Sequence, residues 1–179
     1  IANQTISTAV DDILSAVRFA KRRGFDTFMF YGSSAGGLAV MAAALRLKDR
    51  IKKIALAAPV SDYKTQKHRK LGLLGILLWR LRGWTPYDNK RKRFRIYYSF
   101  YKDIKRYTMY DKAQAIRCPV LILHGDADKT VDISQSKRLV QSIPDSTLII
   151  LQGADHHLKI GSDRSEWLKL LGEWFEDGR

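Results

Sequence analysis

Thr27-Phe28-Met29-Phe30-Tyr31 runs directly into Gly32-Ser33-Ser34-Ala35-Gly36. The first five residues read as a short buried strand, and residues 35–47, rich in Ala, Leu and Met, read as a helix. Between them lies G-x-S-x-G, the pattern of a sharp strand-to-helix turn that holds one serine at its apex. Gly32 and Gly36, two before and two after Ser34, let the backbone pass closely. Ser34 then stands at the positive end of the helix, where a developing oxyanion is favoured, and the Ala35 amide is the natural first donor to it. A chain of this size holds such a pentapeptide by chance about 5% of the time, so the strand before it and the helix after it carry the reading. Ser33 is a poor apex, because Tyr31 and Ala35 occupy its glycine positions. Neither G-x-G-x-x-G nor a closing Gly-Lys-Ser/Thr is present, which argues against a nucleotide loop.

Outward from this turn, helices and strands alternate. Thr8 reads as an N-cap with Asp11 three residues on, followed by Val10, Ile13, Leu14 and Val17 at helical spacing, and Gly24 stops that helix. Residues 51–58 form a second apolar strand ended by Pro59. Pro119 opens a third over 120–123, a helix follows over 134–142, and a fourth strand covers 147–151. Residues 165–175 are helical, with Trp167, Leu170, Leu171 and Trp174 on one face. Apolar strands alternating with helices imply an α/β fold with a mostly parallel sheet and helices on both faces.

The chain has 179 residues, enough for one sizeable core, and 45% apolar against 28% charged residues excludes wholesale disorder. Cys118 is the only cysteine, so no internal disulfide forms; a reducing, cytoplasmic setting fits. The longest apolar run, residues 71–79, is far below the roughly 20 residues that span a bilayer. Charge is concentrated in one place. Residues 62–112 hold 15 Lys/Arg against 4 Asp/Glu, which is +11 of the net +14, and 11 of the 19 aromatics. Helices are expected there over 71–82 and 90–107. The segment divides the chain into a core of residues 1–61 and 113–179 and a basic, aromatic insertion.

A serine hydroxyl needs a base within hydrogen-bond reach, and the base needs an orienting acid. In a parallel sheet both belong on loops past the C-terminal strand ends. The loop after the third strand reads His124-Gly125-Asp126-Ala127-Asp128, and the loop after the fourth reads Gly153-Ala154-Asp155-His156-His157. With Gly32-Ser33-Ser34-Ala35-Gly36, these motifs resemble the α/β-hydrolase superfamily, and more narrowly its feruloyl-esterase, acylglycerol-lipase and serine-aminopeptidase-like branch. The resemblance implies Ser34 as nucleophile, Asp128 as acid and His156 as base. Asp126 is then a turn residue, Asp62 a distant alternative acid, His157 a neighbour pointing elsewhere and His124 a support for its loop. His68 has no implied role.

The resemblance further implies acyl transfer from a small-molecule ester through an acyl-enzyme, with peptide or amide hydrolysis as the alternative within the fold. A non-catalytic binding protein on the same scaffold is the alternative outside it. No metal or organic cofactor is implied, and no metal-ligand spacing is visible. Relatives carry several strands before the first helix seen here, together with a second oxyanion donor. These 179 residues are therefore expected to be a truncated form of the fold, inactive or poorly folded alone. The basic insertion occupies the place of a cap. Its leucines and tryptophans either line an acyl pocket or pack the cap onto the core. Arg80, Arg82 and the run Lys90-Arg91-Lys92-Arg93 suit a peripheral contact with anionic lipid. With no recognised nucleic-acid module, a nucleic-acid partner is disfavoured.

Overall fold

The computed structural model describes residues 5–89, 92–161, 163 and 165–177. Four parallel strands form the central sheet: β1 (Phe28–Ser33), β2 (Ile51–Ala57), β5 (Val120–Gly125) and β6 (Ser146–Leu151), in the order β1-β2-β5-β6. The alternation within the strands builds two cores. Ile54, Leu56, Val120 and Ile122 face α1 (Ile6–Lys21), α2 (Ala35–Leu47) and α6 (Ser134–Ser142). Ala55, Ala57, Leu121 and Leu123 face α7 (Ser165–Glu176), which packs through Trp167, Leu170, Leu171 and Trp174. The expected α/β architecture, with helices on both faces of a parallel sheet, is thus observed.

Details differ from the sequence expectation for physical reasons. Helix α1 is capped by Thr5, with Thr8 three residues on returning a side-chain bond to the Thr5 amide. Thr8 is therefore the second half of a capping box, not its start. Among the described residues strand β1 pairs with β2 alone, and Met29 and Tyr31 are exposed while Gly32 is buried. Lys53, in the middle of β2, is buried despite its charge. Its ammonium donates to the carbonyls of Trp174 and Asp177 and closes the C-terminus of α7.

The insertion is mixed rather than helical. Helix α3 (Tyr63–Arg82) begins earlier than expected because the Asp62 carboxylate accepts from the Thr65 amide, and Gly72 at φ 64° divides it into two helical segments. The expected helix over 90–107 is replaced by an antiparallel pair, β3 (Trp84–Asn89) and β4 (Lys92–Tyr97), followed by the short α4 (Tyr98–Ile104). Alternation decides this. Phe94, Ile96 and the cross-strand Tyr87 carry the strand pattern, with Tyr87 and Phe94 stacked at 4.6 Å. Of the basic run, Lys90 and Arg91 lie outside the described residues, as do the side chains of His68 and Lys92. Helix α4 returns the chain to the core. Ser7, in the first turn of α1, donates its amide and hydroxyl to Asp103, tying insertion to core. Helix α5 (Tyr110–Ala113) then leads into β5.

Candidate active site

Parallel strands present their C-terminal ends at one edge of the sheet, and three of the four strands deliver a polar side chain there. At the end of β1 the chain reverses into α2 at Ser34, which takes φ 53° and ψ −124°. A non-glycine residue seldom adopts a positive φ, and the strain is sustained by its surroundings. The Ser34 amide donates to the Ala57 carbonyl of β2, and the Ser34 carbonyl accepts from Gly37 and Val60. Gly32 is required here, since a Cβ on it would lie 2.7 Å from the Gly37 Cα. Gly36 is not required for space: a Cβ there meets nothing within 4 Å, and the close approach on the helix side is made by Gly37, whose Cβ would lie 3.1 Å from Pro59. The Ala35 amide opens α2 and has no carbonyl one helical turn behind it to bond.

The loop after β5 is wound around Asp128. One carboxylate oxygen accepts from the amides of Thr130 and Val131 at 2.7 and 3.0 Å. The other lies 2.7 Å from His156 Nδ1 and 3.2 Å from His124 Nε2. Burial opposes ionisation of this carboxyl. The hydrogen bonds from His124, His156, Val131 and Thr130 overcome that and hold it well below the usual carboxylate range. His124 is itself completely buried. Its Nε2 faces two acceptors, the Val131 carbonyl at 3.2 Å and the Asp128 carboxylate, so we assign the proton to Nε2. Nδ1 then accepts from the Ser136 hydroxyl at 2.7 Å. The expected loop-supporting role of His124 says nothing of its approach to Asp128, which is visible only in three dimensions.

The loop after β6 carries His156. Asp155 accepts from the amides of His157 and Lys159 and shapes the turn. His156 Nε2 stands 3.2 Å from Ser34 Oγ, which completes a chain Ser34–His156–Asp128. His157 stays beside the site: its ring lies 5.6 Å from that of His156, and both histidines line one small cavity. Asp126 accepts from the Gly153 amide at 2.6 Å, so it links the two loops through backbone instead of facing His156. Asp62 is occupied with Thr65. The two loops also touch directly, because Gly125 lies against Ala154 so tightly that a Cβ would fall 2.1 Å from its carbonyl oxygen.

Two cavities adjoin these residues. One of about 200 Å³ is lined by Tyr31, Ser33, Ala57, His156 and Trp167. A larger one of about 880 Å³ lies between α6 and the start of α3, with Asp62, Tyr110, Thr130 and Arg138 in its wall; neither Ser34 nor His156 lines it. No described group of three or more His, Cys, Asp or Glu residues forms a metal-binding cluster. Cys118 is no rival nucleophile, since burial pushes its thiol up to about 11.

A model of the prolyl oligopeptidase family matches residues 1–178. The chain belongs to that family. Its members' α/β-hydrolase fold agrees with the solved structures it resembles. Alpha/beta hydrolase domain-containing protein 10 from mouse superposes with a TM-score of 0.82 at 23% identity, over 98% of this chain and 71% of that one. Est1E from Butyrivibrio proteoclasticus, with ferulic acid bound, gives 0.77 at 23% identity, over 97% and 68%. By sequence, the chain is 28% identical over 137 residues to the mitochondrial palmitoyl-protein thioesterase ABHD10 of Mus musculus, covering 74% of this chain and 46% of the relative. The family member described here therefore spans about half the length of the curated relatives it matches.

Proposed function

We propose that the protein is a serine hydrolase that cleaves acyl esters through an acyl-enzyme on Ser34. The observation that carries this reading is the unbroken chain from Ser34 Oγ to His156 Nε2 at 3.2 Å and from His156 Nδ1 to Asp128 at 2.7 Å. In the first step Ser34 Oγ attacks the carbonyl carbon and its proton passes to His156 Nε2. Asp128, kept ionised by its donors, stabilises the imidazolium through Nδ1–H. The carbonyl oxygen becomes an oxyanion facing the Ala35 amide. As the tetrahedral adduct collapses, the bond to the leaving alcohol or thiol breaks and His156 returns the proton to it. Water, deprotonated by the same histidine, then attacks the acyl-enzyme and frees Ser34.

The mouse relative named as a palmitoyl-protein thioesterase and the esterase with bound ferulic acid support an ester or thioester substrate over an amide. The family's peptidase members keep amide hydrolysis as the second reading. The single cysteine fits a reducing compartment, cytoplasmic or, as in the mouse relative's name, mitochondrial. A fluorophosphonate probe tests the proposal. The whole protein should label, and Ser34→Ala should not. Esters and thioesters of rising chain length beside aminoacyl amides then separate the two readings. An unlabelled, folded whole protein would end the enzyme proposal.

A further inference from the structure

The second segment of α3, after the Gly72 kink, is apolar on two sides. Ile76 and Trp79 pack inward, and the Trp79 indole donates to the Ile96 carbonyl. Yet Leu73, Leu74, Leu77, Leu78 and Leu81 are 49% to 78% exposed. At about 100° per residue these five occupy an arc of roughly 140° on the outer side, and Arg80 and Arg82 stand at its two borders. Both arginines are exposed. Arg82 and Arg95 lie over the Trp84 ring at 3.6 and 4.3 Å, so β3 and β4 extend the basic border past the helix end. None of the five leucines lines either cavity beside the site. An aliphatic stripe of this width on a helix already packed on its other side is a surface that asks for an apolar partner.

The charge around the stripe selects the partner. Two acids of the insertion are committed internally, Asp62 to Thr65 and Asp103 to Ser7, and do not neutralise the arginines. A second copy docked stripe to stripe would bring arginine borders together in a protein of net charge +14. A nucleic acid would match the charge but gain little from five leucines, which offer no ring to stack on a base. An anionic bilayer satisfies both features at once. Leucines enter the boundary between headgroups and acyl chains while arginines stay at the phosphates. We propose that the outer face of α3 is an interfacial docking surface for anionic lipid membranes. It needs no catalytic residue, so it stands apart from the hydrolase proposal. Where both hold, the enzyme works beside the phase in which long acyl groups reside.

Co-sedimentation of the whole protein with vesicles tests this. Vesicles of phosphatidylcholine mixed with phosphatidylglycerol should capture the protein at least about tenfold better than phosphatidylcholine alone. The triple variant Leu74→Gln/Leu77→Gln/Leu81→Gln, altered only at exposed positions, should keep its circular dichroism and melting temperature and lose capture. Arg80→Gln/Arg82→Gln should weaken capture and flatten its salt dependence. Ser34→Ala should bind like the wild type, which separates this proposal from the enzymatic one. Equal capture by neutral vesicles, no capture at all, or a folded leucine variant that binds normally would overturn it. So would a dimer that the leucine variant dissolves without any vesicle binding, since the stripe would then belong to a second copy.

Discussion

Replacing Gly125 with alanine should cripple the site without touching any residue that does chemistry. A Cβ at this position would lie 2.1 Å from the Ala154 carbonyl oxygen and 2.5 Å from its carbonyl carbon. Both are backbone atoms, so no side chain can swing away. Ordinary van der Waals contact begins at 3.4 Å, so the loop after β5 and the loop after β6 must part by about 1.3 Å. Those loops carry Asp128 and His156, whose contact is 2.7 Å. A displacement of that order between reacting partners costs about 100-fold in rate, equivalent to about 2.7 kcal/mol of transition-state stabilisation. Folding stability should fall by about 1–3 kcal/mol from the overpacking. The assay is kcat/KM on a simple ester and the rate of fluorophosphonate labelling in the whole protein, beside melting temperature. Gly36→Ala is the control. Nothing lies within 4 Å of its Cβ, so it should stay close to wild type in both measures. If Gly125→Ala labels within about threefold of wild type, the claim that this contact sets the acid–base geometry is wrong.

Three further outcomes are expected. His124→Leu removes the donor beside Asp128 and should lower kcat about tenfold with KM little changed, while His124→Gln, which keeps a donor near the Nε2 position, should recover much of it; equal losses in both variants would reduce His124 to a packing residue. Because the Asp128 carboxyl is held below its ordinary range, its contribution to stability is present in full above the unfolded carboxylate pKa of about 4 and is lost as pH falls through the folded value. The melting-temperature advantage of wild type over Asp128→Asn should therefore shrink progressively in acid, and a gap constant from neutral pH into that range would contradict the assignment. Asp103→Ala leaves the Ser7 amide without its acceptor at the junction of α1 and α4, while the Ser7 hydroxyl keeps the Tyr107 hydroxyl at 2.8 Å. It should cost about 1–3 kcal/mol in denaturant unfolding with little effect on the rate of a simple ester, and an unchanged midpoint would show that Ser7 finds another partner.

Much of the core was legible in one dimension because its signals are local. An apolar strand followed by a glycine turn and an Ala-rich helix needs no distant partner to be read, and the same holds for β2, β5 and α7. In the insertion local signals conflict. A run of Lys and Arg is compatible with a helix, and only the pairing of Tyr87 with Phe94 and of Trp84 with Tyr97 turns residues 84–97 into two strands. Thr8 reads as a cap because Asp11 stands three residues after it, yet Thr5 is the cap and Thr8 the residue three positions on from it. The spatial role expected of Gly36 belongs to Gly37, since spacing in a motif does not say which glycine faces its neighbours.

By itself the sequence determined the order of the core elements outside the insertion, the parallel sheet they imply, and three polar loops whose residue types suit one another. Tertiary structure decided which atoms meet. Ser34 and His156 are separated by 122 residues and Asp128 and His156 by 28, so their contacts depend on strand register and on how closely two loops can pack. That closeness rests on Gly125 against Ala154 and on the donors gathered around Asp128, His124 among them. None of these has a periodic or compositional signature, because each is a contact between surfaces that exist only once the sheet has formed. The same holds for the leucines of α3. Their sequence says apolar, and only the fold leaves them facing outward between two arginines.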